Sequence, residues 1–242
     1  MNFQNRVAIV TGASSGIGLA VSRLLVNRGA KVALVSRSKK KLEGISKSLP
    51  NSFAIPADMT KEGEVRKMLG IARDHFGRID ILINNAGQGY DSPVEKIDVD
   101  AFRHVFELDV VGPLIAMQEV IRVMKSQGGG TIVNISSGTA LMHLPNMGAY
   151  SSLKRALAAI SLTAREELKN YNINVSVMYP YITLTEFEKN TIKDIAESDD
   201  GQEGGPPFPP DTAEYVAEKI LEGLESGEAE IFAHDWMKKM IK

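Results

Sequence analysis

The 242-residue sequence has no cysteine, which excludes a disulfide, a thiolate metal site and a cysteine nucleophile. Histidine is scarce: His75, His104 and His234 show no metal-ligand spacing and His143 stands in a loop sequence, so no metal is expected. Lys and Arg number 28 against 30 Asp and Glu, so neither nucleic acid nor an anionic membrane finds an excess charge to bind. No apolar run approaches the ~20 residues needed to cross a bilayer. The opening MNFQNRVAIVTG enters a strand without a charged-then-apolar leader. With no repeat and no break in composition, the expectation is one domain over residues 1–242, located in the cytoplasm.

Strands and helices alternate along the chain. Short apolar, β-branched runs mark strands at 7–10, 31–35, 53–57, 79–83, 131–135, 173–178 and 230–233. Helical patterns lie between them, including a long one over 99–124 with a kink expected at Gly112-Pro113. Another opens near Tyr150 and runs to about Lys169, and the last starts at Asp211 as cap. This order predicts an α/β fold: a doubly wound (Rossmann) parallel sheet of about seven strands, with helices on both faces. Residues 186–210 are polar and rich in Gly and Pro, long for a connection, and read as a substrate-side lid or loop.

The first strand runs into Thr11-Gly12-Ala13-Ser14-Ser15-Gly16-Ile17-Gly18 and then a helix. Strand, glycine turn and helix form a phosphate-binding unit, because backbone and helix N–H groups can approach a pyrophosphate. The spacing is G-x-x-x-G-x-G rather than the usual G-x-G-x-x-G. After the second strand come Ser36 and Arg37, with no acidic side chain. An acid there would bond a ribose 2′-hydroxyl and repel a 2′-phosphate, whereas a guanidinium suits the phosphate, so NADP(H) is the expected cofactor. Asp58, followed by Met59, follows the third strand and can accept from an adenine amino group or cap the helix near Lys61. Asn84-Asn85-Ala86-Gly87 follows the fourth strand, where small residues allow close approach of a cofactor or of a helix.

The fifth strand delivers Ser137, and Tyr150 and Lys154 are four residues apart in the next helix, on one face. Such a pair is more often a surface pair than a catalytic one. A phenol ionises near ~10, and a neighbouring cation lowers that value. With Ser137 beside it, Tyr150 becomes a candidate acid or base. The glycine turn, Arg37, Asp58, Asn85, Ser137 and Thr185 all follow strands or open helices, so a doubly wound sheet brings them to one edge.

Together these motifs resemble the short-chain dehydrogenase/reductase family over nearly the whole chain, including the thirteen-residue spacing between Ser137 and Tyr150. The resemblance implies that Gly12, Ser14, Ser15, Gly16, Ile17 and Gly18 surround the cofactor phosphates and ribose. It also implies that Ser36 and Arg37 hold the 2′-phosphate end and Asp58 and Met59 the adenine. Asn85, Ala86 and Gly87 would line the ribose side. Pro180, Ile182, Thr183 and Thr185 would meet the nicotinamide. Ser137 would position the substrate oxygen, Tyr150 would transfer its proton, and Lys154 would bond the nicotinamide ribose and lower the Tyr150 pKa. The family's fourth catalytic member is an Asn acting largely through its carbonyl; Asp109 stands there in this chain. Tyr181 stands where the family usually has Gly after the proline.

The expected substrate pocket is Gln88, Tyr90, Met142, His143, Leu144, Met147, Tyr181 and Phe187, mostly apolar, which suits a carbonyl or alcohol on an apolar body. A homodimer or homotetramer is expected by analogy. The alternative to an oxidoreductase is a non-catalytic NADP(H)-binding sensor or scaffold, kept open by Asp109 and Tyr181.

Overall fold

The computed structural model describes residues 2–194 and 208–240. The apolar runs form β1 (Val7–Thr11), β2 (Lys31–Ser36), β3 (Ser52–Pro56), β4 (Ile81–Asn84), β5 (Gly130–Ile135), β6 (Ile173–Tyr179) and β7 (Glu230–Phe232). They build one seven-stranded sheet in the order β7-β6-β5-β4-β1-β2-β3, every pair parallel. Parallel neighbours require crossovers, supplied by α1 (Gly16–Asn27), α2 (Lys39–Ser48), α3 (Glu62–Phe76), α4 (Val99–Phe106), α5 (Gly112–Ser126), α6 (Gly148–Leu168) and α7 (Ala213–Ser226).

Helices cover both faces, so the central strands are buried on both sides and mostly apolar rather than alternating; all five residues of β1 are buried. The two-residue period of a strand then assigns neighbours to opposite cores. Ala8 and Val10 pack with Val21 and Leu25 of α1 and Ile220 and Leu224 of α7. Ile9, between them, packs with Val65 and Met68 of α3 and Met117 and Val120 of α5. A fully buried aliphatic side chain is worth about 1.5–3 kcal/mol, so each strand is held from both sides.

From β1 the chain winds outward to β2 and β3, then crosses back to β4 on the other side of β1. The carboxyl ends of β1 and β4 therefore flank a topological switch point, where a crevice opens.

Two local features refine the expectations. The helical stretch from Val99 is widened just before Gly112-Pro113, where Glu107–Val111 forms a π-turn and the Gly112 N–H reaches back to the Glu107 carbonyl. Pro113 has no N–H, and an unbroken α-helix would have aimed that N–H at the Asp109 carbonyl. The proline thus acts on the preceding turn. The cap of α7 is Thr212, whose hydroxyl accepts from the Tyr215 N–H, and not Asp211. Asp211 lies one residue too early and is held instead by parallel pairing of Asp211–Thr212 with Thr183–Leu184. A second short parallel pair, Tyr90–Asp91 with Ile192–Lys193, ties the chain after β6 across the sheet's carboxyl edge. Among the described residues no helix is long and apolar enough to cross a membrane.

Candidate active site

The first half of the site is made of backbone. Gly12 has φ +67°, a left-handed conformation that a side chain would strain, and Gly18 sits against the Gly12 carbonyl, where a Cβ would collide. Ser15 caps α1 without a side-chain bond and no acid occupies the first turn. The free N–H groups and positive end of α1 are therefore available to an anion, and the cradle fits a dinucleotide phosphate. Ser14, Ser15 and Ile17 are half-buried at its rim. Thr185 packs over this turn, since a Cβ on Gly16 would meet its Cγ2 at 3.0 Å.

At the end of β2, Arg37 is exposed, while the Ser36 hydroxyl accepts from the Ser38 N–H at 3.2 Å. The Asp58 Oδ1 accepts from the Thr60 N–H (3.0 Å) and hydroxyl (2.8 Å). Burial works against ionisation of Asp58, but those bonds, with Arg37 and Lys61 nearby, outweigh it and hold the carboxyl below its ordinary range. The turn made by Asp58 lies just ahead of α3, whose cap is Lys61. Met59 is buried, and its side chain belongs to the core rather than to the crevice.

The second half is made of buried side chains. β5 ends at Ile135, and Ser137 follows with its hydroxyl accepting from the Thr139 N–H (3.2 Å) and hydroxyl (3.0 Å). Its neighbour Ser136 donates to the Lys154 carbonyl at 2.9 Å, which pins α6 against the strand end. Tyr150 and Lys154 both face inward, 8% and 3% exposed, so the pair is not a surface one. The ammonium lies 5.6 Å from the Tyr150 ring centre and donates to the Ile135 carbonyl at 3.1 Å. From the π-turn, Asp109 enters fully buried, with Oδ2 3.0 Å from Lys154 Nζ as an ion pair rather than a well-aligned hydrogen bond. Its Oδ1 accepts from the Gln88 N–H at 2.9 Å. Gly87 leaves room for this pair: a Cβ there would lie 3.0 Å from Asp109 Oδ2 and 3.1 Å from Lys154 Nζ.

Burial, the largest influence, pushes the Tyr150 phenol above its ordinary value, and Asp109 and Asp91 add to it. Lys154 and a Ser137 hydrogen bond act in the opposite direction without prevailing. Lys154 does favour the phenolate, as its spacing implies, while desolvation and the acid beside the lysine act against it. Burial also raises Asp109, against Lys154 and the Gln88 N–H. For Lys154 burial alone would lower the pKa, and Asp109 and Tyr150 more than reverse it.

With the fold and this geometry in view, the short chain dehydrogenase family matches residues 6–196. The chain belongs to that family. Among curated relatives it is 31% identical over 199 residues to the uncharacterized oxidoreductase YxjF of Bacillus subtilis, covering 81% of this chain and 77% of the relative. It is 33% identical over 178 residues to the uncharacterized oxidoreductase MW2403 of Staphylococcus aureus, covering 73% and 77%. A short chain dehydrogenase of Burkholderia cenocepacia, solved with NADP, superposes with a TM-score of 0.83 at 29% identity over 99% of this chain and 92% of the other. A short-chain dehydrogenase/reductase of Burkholderia phymatum, solved with NAD, superposes with a TM-score of 0.89 at 22% identity over 100% and 93%, a likeness of fold alone.

In this short-chain dehydrogenase several of the expected site residues also carry structural bonds. Asn85 donates its side-chain amide to the Thr11 carbonyl at 2.9 Å, and the Thr11 hydroxyl accepts from the Asn85 and Ala86 N–H groups at 2.9 and 3.0 Å. These bonds brace the ends of β1 and β4, so Asn85 carries a structural role, and Thr11, which opens the glycine motif, is the strand-end partner that receives them. Tyr90 is corrected outright: it is fully buried and its hydroxyl accepts from the Asp98 N–H at 2.8 Å. Tyr181 is taken up by an aromatic cluster at the C-terminal end, 5.4 Å from Trp236 and 5.9 Å from His234. The Thr183 hydroxyl is spent on the Tyr181 carbonyl at 2.8 Å, Pro180 is buried with its carbonyl bonded to the Gly138 N–H, and Ile182 is exposed.

Phe187 does meet the site, its ring 5.8 Å from that of Tyr150. It is held there because the Gln88 side chain donates to the Asn190 carbonyl at 2.8 Å and the Ile192 N–H to Gly89 at 3.0 Å. Met142 and Met147 are half-buried in the loop before α6; Leu144 and His143 are exposed there, His143 being 3.5 Å from Arg155. Of the expected lid over 186–210, residues 195–207 lie outside the described residues. Asp91, with its carboxyl pushed up by burial beside Lys193 and Glu188, is a site-edge acid the sequence did not signal.

Proposed function

We propose that the chain is an NADP(H)-dependent oxidoreductase that interconverts a carbonyl and a secondary alcohol on an apolar small molecule, with Tyr150 as the acid or base. The observation that carries this reading is the convergence of Ser137, Tyr150 and Lys154, all inward-facing, beside an anion cradle at the sheet's switch point. Bound NADPH would supply a hydride. The glycine turn and the start of α1 would hold its pyrophosphate, and Arg37, the exposed cation after β2 with no acid beside it in sequence, would bond the 2′-phosphate. Lys154 would bond the nicotinamide ribose, and Thr185, already over Gly16, would stand on the nicotinamide side.

In the reductive direction the Ser137 hydroxyl and the Tyr150 phenol hold the substrate oxygen. Tyr150 would give its proton to that oxygen, balancing the hydride that the cofactor would supply to the carbon, and solvent would return a proton to the phenolate. In oxidation Tyr150 must begin as phenolate and take the alcohol proton. Phe187 and the half-buried methionines favour an apolar substrate body, since desolvating a polar one against them has no compensation.

The decisive test is calorimetric titration of the protein with NADPH and NADH, followed by a panel of apolar ketones and aldehydes monitored as NADPH loss. NADPH binding with turnover establishes the reading. The buried Asp109–Lys154 pair favours the second reading, a non-catalytic NADP(H)-binding sensor, and NADPH binding with no turnover across the panel would select it.

A further inference from the structure

Resting on that reading, the geometry points to Asp109 as a positioning residue: by ion-pairing Lys154 inside the protein it withholds the lysine's charge from Tyr150, keeps the phenol in its proton-donating form, and so makes the site a reductase at neutral pH.

The carboxylate is fully buried, and each oxygen faces a donor, Gln88 N–H at 2.9 Å and Lys154 Nζ at 3.0 Å. The two donors favour the ionised carboxylate, against the burial that raises its pKa. A neutral amide at this position would leave the ammonium's full charge acting on the phenol. With Asp109 present the lysine and aspartate approach a dipole, whose field at the ring is far weaker than that of a single charge. Among the described residues the other charged group acting on Tyr150 is Asp91, from the short strand pair at the rim, with Lys193 and Glu188 around it. Asp91 has the same sign as Asp109 and acts in the same direction. Both of these acids therefore oppose the phenol's ionisation, and burial does so as well.

The consequence is kinetic. Reduction needs the phenol and oxidation needs the phenolate, so the rate of reduction falls and that of oxidation rises as pH passes through the Tyr150 ionisation. Removing the Asp109 charge moves that ionisation to lower pH. It does not move the overall equilibrium, which belongs to substrate and cofactor.

The experiment compares wild type, Asp109→Asn and Asp109→Ser in two ways. The first is kcat against pH in both directions; both limbs are expected to move toward acid by about one pH unit in each variant. The second is the ultraviolet phenolate titration of the protein without substrate, with the Tyr150 step identified by subtracting Tyr150→Phe; it is expected to show the same acid shift. Asp109→Ser admits water to the ammonium and keeps the test open if Asp109→Asn does not fold. Limbs and titration that coincide with wild type, or that move toward alkali, overturn the proposal. If the wild type turns over nothing in the panel, the oxidoreductase reading has failed, while the titration still decides whether Asp109 controls Tyr150.

Discussion

Two buried aspartates mark opposite edges of the sheet, and their environments differ. Asp80, at the amino edge just before β4, accepts from Arg6 at 2.7 Å, from Arg78 at 2.5 and 2.8 Å, and from the Val7 N–H at 2.9 Å. Its own N–H and carbonyl join β1 and β5 through Val7 and Thr131. Burial opposes its ionisation, but the Arg78, Val7 and Arg6 bonds prevail and hold it below the usual carboxylate range. Asp109, at the carboxyl edge, has one ammonium and one N–H, and burial prevails. Desolvation leads the influences on both; the number and alignment of donors decides the sign. The amino edge satisfies its acid in full and serves stability. The carboxyl edge gives its acid fewer donors, which costs stability and leaves the field of its carboxylate acting on Tyr150.

If that division is right, substitutions at the two edges should affect different properties. The largest effect falls at the carboxyl edge. Tyr150→Phe is expected to cut turnover by about 10²–10⁴-fold while NADPH binding by calorimetry stays close to wild type; surviving turnover would break the acid–base assignment. Next is Asp80→Asn, expected to cost about 2–3 kcal/mol in denaturant unfolding at neutral pH, below the fully buried case because both arginines are half-exposed to solvent. Its kcat per folded molecule should not change, and a loss of kcat would remove the distinction between the edges. The sign with pH is definite. A carboxyl held below its unfolded value, which for an aspartate is about 3.9, gives stability that is present above that value and lost as pH falls through the lower folded one. Wild type and Asp80→Asn should therefore converge in stability on strong acidification.

Smaller effects sharpen the picture. Arg37→Ala is expected to weaken NADPH by roughly 10- to 100-fold, the equivalent of a charge-assisted bond of about 1.5–3 kcal/mol, and NADH hardly at all. Equal losses in calorimetry would sink the 2′-phosphate assignment. Thr212→Ala, which removes the α7 cap, should cost about 1 kcal/mol of stability without changing either cofactor's affinity. A larger change would mean that the Thr183–Leu184 pairing beside it matters to the crevice.

Much of the fold could be read before the tertiary structure. β1 and β2 are apolar runs ended by Gly and Ser, and burial on both faces explains why they do not alternate. Gly12 and Gly18 were legible because the turn needs residues without side chains, and Tyr150 with Lys154 because four residues make one helical turn. Asp211 was misread because a capping residue and its neighbour have the same composition cue, and pairing with a distant strand decided between them. Tyr90 was misread because a polar aromatic after a strand suits a pocket as well as a core; the Asp98 N–H, eight residues on, settles it as core. The short strand pair Tyr90–Asp91 with Ile192–Lys193 left no trace in either segment, since two residues carry no periodicity.

By itself, then, the sequence determined the order of strands and helices, the glycine turn and the Ser137, Tyr150 and Lys154 set, all of which follow from spacing along one chain. The tertiary structure alone decided that Asp109 faces Lys154, that Phe187 meets Tyr150 and that Thr185 packs over Gly16. Those partners lie on elements brought together by the strand order and by a proline-widened helical turn. A side chain's charge partner, and with it the proton affinity of Tyr150, depends on distances across the fold that no local pattern encodes.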